Sequence, residues 1–150
     1  MPKRRAVPFE LAVGVDEKTR RTLTKNKWRI TDPVKLSSDM TRYREFIVKS
    51  RGEFTVAKDQ YVRLNTGWFS DRSACYLAAG RPVIIQQSGF TQHYGNDGGL
   101  FAFSSIKEIV DAVKAINADY AKHSRAAREV ACEIFEAEKV LASLLDRAGV

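Results

Sequence analysis

A chain of 150 residues that is 44% hydrophobic and 29% charged has the length and composition of one soluble globular domain with a real core. It holds no apolar run long enough to span a bilayer and no signal-peptide pattern, which argues against a membrane-spanning or secreted protein. The net charge of +7 is uneven: residues 1–75 carry 17 Lys/Arg against 9 Asp/Glu, and residues 76–150 carry 8 against 9. That asymmetry fits either an anionic partner near the first half or a solvated basic surface, because net charge governs association rather than fold.

Residues 1–8 read as a flexible start or linker, with Pro2 and Pro8 bracketing Lys3, Arg4 and Arg5. Phe9–Val15 reads as a strand. Asp16 caps a helix from Glu17 to about Lys25, with Leu23 facing inward. Trp28, Arg29 and Ile30 form a short second strand, and Asp32-Pro33 ends it as a loop. Asp39 caps a helix from Met40 to about Lys49, whose Met40, Tyr43, Phe46 and Ile47 fall at helical spacing. Glu53–Lys58 is a third strand. Asp59–Gly67 is irregular, anchored by Tyr61 and Val62.

The stretch Gly67–Phe90 organises the rest. Gly67-Trp68-Phe69 turns into a helix that Ser70 caps and that carries Asp71 in its first turn. Ser73, Ala74, Ala78 and Ala79 give this helix a small face that a sheet can approach closely. Gly80 stops it in a left-handed conformation and Pro82 forbids continuation. Val83-Ile84-Ile85 is then a buried strand, ending in Gln86, Gln87, Ser88 and the turn residue Gly89.

Gly89–Gly99 reads as a loop, and Leu100–Phe103 as a fifth strand. Ser105 and Glu108 form a capping box for a long helix with a buried stripe of Ile106, Ile109, Val110, Val113 and Ile116. Helical pattern continues from about Asn117 to Phe135 and again from about Glu136 to Arg147. The expected fold is therefore α/β, a Rossmann-like doubly wound, mostly parallel sheet of about five strands with flanking helices and a helical C-terminus. Residues 9–150 would form one such domain. Ligands in such sheets bind outside the carboxyl ends of the strands, here near Gly14–Asp16, Ala57-Lys58 and Gln87–Phe90.

No glycine-rich dinucleotide fingerprint follows the first strand. P-loop, C-x-x-C, H-E-x-x-H and Asp-x-Asp patterns are missing too, so no metal site and no cofactor are expected. What remains is an anion site. The first-turn N–H groups after Ser70 (those of Asp71, Arg72 and Ser73) carry partial positive charge. Arg72 adds a fork of donors and Lys58 a compact charge. The same pattern also fits plain capping by Ser70 and Asp71, with Arg72 paired to a surface carboxylate. His93 lies in the loop beside the expected crevice, where a solvated role and an acid/base role are both open. His123, between Lys122 and Arg125, reads as a surface residue, and Trp28 and Phe54 as core. Cys75 and Cys132 read as buried, unlinked thiols, which fits a reducing cytoplasm.

Ala78-Ala79-Gly80-Arg81-Pro82-Val83, then Ile84-Ile85, Gly89 and Gly98-Gly99-Leu100-Phe101, resemble the donor-binding half of GT-B glycosyltransferases. The helical run from Ser105 to Leu145, with Ala126-Ala127-Arg128 and Phe135, continues the likeness. Gly52–Lys58 together with Gly67–Ser73 is similar to a set of bacterial glycosyltransferase-like proteins. The resemblance covers about residues 9–148. It implies a nucleoside-diphosphate sugar as donor substrate and an acceptor-binding domain outside this chain. It carries over the helix N-terminus and the glycine loop, and with the anion-site residues the candidate binding set is Lys58, Ser70, Asp71, Arg72, Ser73, Ser88, Gly89 and Phe90. Asp71 is the only acidic residue between Gly67 and Gly80, where many retaining members carry a glutamate pair, so no catalytic residue is assigned. The alternatives are a non-catalytic α/β module that binds a nucleotide or a partner, and a basic nucleic-acid-binding domain. The aromatics sit at apolar-face positions rather than beside a basic stripe, which argues against nucleic acid.

Overall fold

The computed structural model describes residues 9–95 and 98–149. The flexible start expected at residues 1–8, and Asn96 and Asp97 of the expected loop, lie outside the described residues. Tertiary contacts group the chain into two compact units, residues 1–46 and 47–150.

In the first unit, β1 (Phe9–Ala12) and β2 (Trp28–Thr31) are joined by α1 (Glu17–Lys25) and pair in parallel, with Phe9 opposite Trp28 and Ala12 opposite Thr31. The Phe9 and Trp28 rings meet at 5.3 Å. Asp16 caps α1 as expected, its carboxylate accepting from the Thr19 N–H at 2.9 Å. After β2 the chain does not loop. Asp32 accepts from the N–H groups of Val34 and Lys35, Pro33 takes the first helical position, and α2 (Pro33–Ser37) results. That is a helix start whose signal, Asp before Pro, was in the sequence. Then α3 (Met40–Lys49) follows, with Asp39 accepting from the Arg42 N–H at 3.0 Å. Of its apolar positions only Ile47 is buried, and Met40 is exposed. None of the side chains of residues 9–46 is buried.

The second unit is built on a three-stranded parallel sheet in the order β3-β4-β5, from β3 (Glu53–Thr55), β4 (Val83–Gln86) and β5 (Leu100–Phe103). Glu53, Val83 and Leu100 are in register, as are Thr55, Ile85 and Ala102. Its helices are α4 (Asp59–Arg63), α5 (Asp71–Ala78), α6 (Thr91–Tyr94), α7 (Ile106–Ala118), α8 (Tyr120–Ile134) and α9 (Ala137–Ala148). The core is Leu77 of α5, Val83, Ile84 and Ile85 of β4, Leu100, Phe90, and the stripes Ile109, Ala112, Val113, Ile116 and Ala127, Val130, Ala131. Full burial of a Val, Leu, Ile or Phe is worth about 1.5–3 kcal/mol each, so this list accounts for the unit's cohesion.

Helix α5 packs on β4 and on α8, and α8 packs on β5. Ser124 and Arg128 of α8 reach the α5 terminus and donate to the carbonyls of Gly80 and Ala78, at 2.8 and 2.6 Å. The last carbonyls of α5 are thus satisfied from a neighbouring helix as well as by the turn at Gly80. Gly99 is required for a different reason: a Cβ there would lie 2.2 Å from the Ala127 backbone nitrogen. Only glycine lets the start of β5 touch the α8 backbone.

Several expectations are corrected. The described strands form two parallel sheets of two and three strands, not one sheet of five. Alternating and apolar runs identify strands, but not which strands are neighbours. The third strand stops at Thr55: Val56 turns outward, Ala57 is buried, and Lys58 already leads into α4, where an irregular stretch was expected. The loop after Gly89 contains α6. Ile106 is exposed and Ala112 takes its place in the buried stripe of α7. Asp119 breaks the helical run and caps α8, accepting from the Lys122 N–H at 3.0 Å. Cys75 and Cys132 are free thiols but exposed, since the buried faces of α5 and α8 fall on other residues.

Candidate functional site

At the carboxyl end of the three-stranded sheet the chain leaves β3 into α4, enters α5 from Gly67–Ser70, and leaves β4 through Gln87–Phe90. These are the positions where parallel sheets collect ligands.

The turn after β4 is closely tied. The Gly67 N–H donates to the Ser88 carbonyl at 2.7 Å, and the Ser88 hydroxyl donates to the Trp68 carbonyl at 2.6 Å. Gln87 folds over its own turn: its Oε1 accepts from the N–H groups of Ser88 and Gly89 at 3.0 and 2.9 Å, and its Nε2 donates to Thr91 at 2.7 Å. Gly89 adopts φ +98°, and a Cβ there would meet Asn65 Oδ1 at 2.7 Å, so both conformation and space require glycine. Ser88 and Phe90 are fully buried. Phe90 belongs to an aromatic cluster, its ring 5.7 Å from Phe69, which in turn meets Tyr94 and Phe135 at 5.1 and 5.2 Å. Tyr61 of α4 stacks on Trp68 at 5.2 Å with its ring plane within 7° of parallel.

Helix α5 begins without the expected cap. Ser70 has the extended N-cap backbone, but its hydroxyl makes no cap hydrogen bond; it is buried and points at Asp71 Oδ1, 3.5 Å away. Asp71 instead accepts from the N–H of Arg72 at 2.8 Å. The N–H groups of Asp71 and Ser73 have no hydrogen-bond acceptor among the described residues. The Ser73 hydroxyl is buried with no partner among the described residues.

Arg72 turns back onto β3. Its Nε donates to Glu53 Oε1 at 2.5 Å and its Nη2 to Thr55 Oγ1 at 2.8 Å. Glu53 and Thr55 are two residues apart and so share one face of the strand. The Glu53 carboxylate is buried, and its Oε2 has no partner among the described residues. An ion pair with one half-exposed arginine leaves that oxygen uncompensated, which is costly in a low-dielectric setting. The partner of Arg72 is thus a carboxylate, as one of the two sequence readings held, but a buried one.

Of the sequence-derived site residues, Ser70–Ser73 and Ser88–Phe90 occupy two adjoining segments, joined through Gly67 and Trp68. Lys58 is exposed at the start of α4, and no hydrogen bond or ion pair among the described residues connects it to either segment. His93 is exposed, its ring beside Gly67. His123, expected on the surface, is buried; its Nδ1–H donates to the Gly98 carbonyl at 2.5 Å and its ring packs on Phe101. A carbonyl can only accept, so Nδ1 carries a proton in this contact. Glu53, Thr55 and Gln87 were missed as site residues. The signal for Glu53 was a carboxylate at the start of an otherwise apolar strand, and for Gln87 a glutamine directly before a serine-glycine turn.

Among the described residues no group of three or more His, Cys, Asp or Glu side chains could hold a metal ion, and no helix is long and apolar enough to cross a membrane. Comparison of the chain with protein-family models, with curated proteins and with solved structures finds no match.

Proposed function

We propose that the chain is the donor-binding part of a GT-B-like glycosyltransferase, holding the diphosphate of a nucleotide sugar at the start of α5. One observation carries the reading. At the carboxyl end of a parallel sheet, α5 presents two first-turn N–H groups with no acceptor among the described residues, and its N-cap serine leaves them so. Such groups, with the helix dipole behind them, suit a phosphate. In this reading the protein works in the cytoplasm, and the acceptor sits on a separate domain. The chain alone would bind donor and transfer no sugar. Leaving-group stabilisation would be electrostatic. Arg72, engaged by Glu53, contributes through the helix it anchors, and exposed Lys58 is the cation offered to the diphosphate.

The test is a titration with uridine, guanosine, adenosine and thymidine diphosphates, following melting temperature and the backbone amides of Asp71 and Ser73. A nucleotide at about a hundred times its dissociation constant stabilises by roughly 2.7 kcal/mol. Lys58→Ala should weaken binding about tenfold, as loss of a charge-assisted contact does. Lys107→Ala, whose ammonium is paired with Asp111 on α7, should not change it. If none of the four nucleotides moves those two amides, or if both lysine variants weaken binding equally, the reading fails.

A further inference from the structure

At the amino ends of the same strands, away from α5's start, two arginines converge on one tyrosine. Arg51 precedes β3, Arg81 precedes β4, and Tyr120 opens α8. The Arg51 guanidinium lies 4.2 Å from the centroid of the Tyr120 ring, and its Nε donates to Asn117 Oδ1 at 3.0 Å. Arg81 donates from Nη1 to the Tyr120 hydroxyl oxygen at 2.7 Å and from Nη2 to the Val48 carbonyl. Its Nε is buried and has no partner among the described residues. Neither arginine has a carboxylate partner among the described residues. Asp119, next to Tyr120 in sequence, is turned to the α8 N-cap, and Glu53, two residues after Arg51, is held by Arg72.

Two guanidinium groups held on one phenol repel each other, and the ring's quadrupole offsets only part of that. Arg81 is half-buried, has given up water, and finds only neutral oxygens in return. What the cluster lacks is a negative charge. Because Arg81 already donates to the Tyr120 oxygen, the tyrosine proton is left to donate outward, and it has no acceptor among the described residues.

We infer that Arg51, Arg81 and Tyr120 form an oxyanion site that takes a phosphate group, separate from the α5 terminus. The planar fork of an arginine matches two phosphate oxygens, and the tyrosine hydroxyl supplies a third donor. Inorganic phosphate and a small phosphomonoester share this chemistry.

The side-chain Nε–H resonances of Arg51 and Arg81 report on the site directly. They are followed in two titrations, with inorganic phosphate and with phenyl phosphate, against chloride at equal ionic strength. Both resonances should move together and saturate. Arg51→Gln should lower the affinity about tenfold. Tyr120→Phe should lower it several-fold, and Lys58→Ala should leave it unchanged. Arg51 is exposed, so its variant keeps the fold, which the backbone amide spectrum verifies; Tyr120→Phe tests the same site without removing a charge. Tighter binding of phenyl phosphate would identify an esterified ligand, and tighter binding of inorganic phosphate the free ion, each within the inference. Three outcomes overturn it: no movement beyond that in chloride, equal affinity in Arg51→Gln and wild type, or movement confined to the amides of Asp71 and Ser73.

Discussion

Residues 9–46 and residues 47–149 are written in the same vocabulary of parallel strands joined by capped helices, yet only the second set buries side chains. The first has well-formed local structure: Asp16, Asp32 and Asp39 each accept from backbone N–H groups at a helix start, and β1 and β2 pair in register. The second adds what such local devices do not supply, a closed set of apolar contacts around β4. Caps and pairing decide where elements begin and end. Burial decides how much unfolding them costs.

The largest effects should therefore come from the contacts that only the second unit has. Gly99→Val drives a branched side chain into the Ala127 backbone, where a Cβ alone would already lie at 2.2 Å, and should cost more than about 4 kcal/mol or prevent folding. Ile85→Ala, at a fully buried position, should cost about 2–5 kcal/mol. Ile30→Ala, half-buried on β2, should cost only about 1 kcal/mol. Urea unfolding of the three variants measures this. Equal losses for Ile85→Ala and Ile30→Ala would break the comparison and place residues 9–46 in the same cooperative core.

A middle-sized effect separates structure from binding within the second unit. Arg72→Ala leaves the buried Glu53 carboxylate without its ion-pair partner and should cost about 2–3 kcal/mol, below the full value for a buried pair because the Arg72 side chain is 46% exposed. Lys58→Ala should change stability by less than about 0.5 kcal/mol, since Lys58 is exposed and makes no ion pair among the described residues. Thermal unfolding without ligand distinguishes them. A stable Arg72→Ala protein would mean that the Glu53–Arg72 pair does not hold α5 to β3.

Much of the second unit was legible because its signals are local. Asp71 through Gly80, the run Val83–Ile85 and the Ser105–Glu108 capping box each state their own conformation, and α7 begins where that box places it, with Glu108 accepting from the N–H groups of Ser104 and Ser105. Sheet order was not legible, since the pairing of β1 with β2 and of β3 with β4 depends on partners far apart in sequence. The same limit applies to the site. The sequence left Arg72 between a phosphate donor and the partner of a surface carboxylate, and could not name Glu53, because that residue is 19 positions away on another element. The exposure of Cys75 and Cys132 was missed because a helical position does not reveal which face its neighbours cover. His123 was missed because a residue flanked by Lys122 and Arg125 can still point inward, and here Gly98 offers it a carbonyl.

The smallest effect is pH dependence of the helix starts, and it tests the comparison at its finest point. The Thr19 hydroxyl, and then its backbone N–H, hold the Asp16 carboxyl below its ordinary 3.8, and the Arg42 N–H does the same for Asp39. The N–H groups of Ser104 and Ser105 hold Glu108 below its ordinary 4.5. A carboxylate lowered on folding adds stability that is fully present above its ordinary value and is lost as pH falls through the lowered one. All three caps should therefore weaken between about pH 5 and the acid side of those values. The consequences should differ. Helix α7 keeps Ile109, Ala112, Val113 and Ile116 buried when its cap protonates, whereas α1 has no buried residue to fall back on. Residue-resolved carbonyl and Cα shifts between pH 6 and pH 3 should show α1 fraying first while α7 holds. If α7 frays at the same pH as α1, the caps rather than the core hold its first turn, and the distinction between the two regions does not extend to their helix ends.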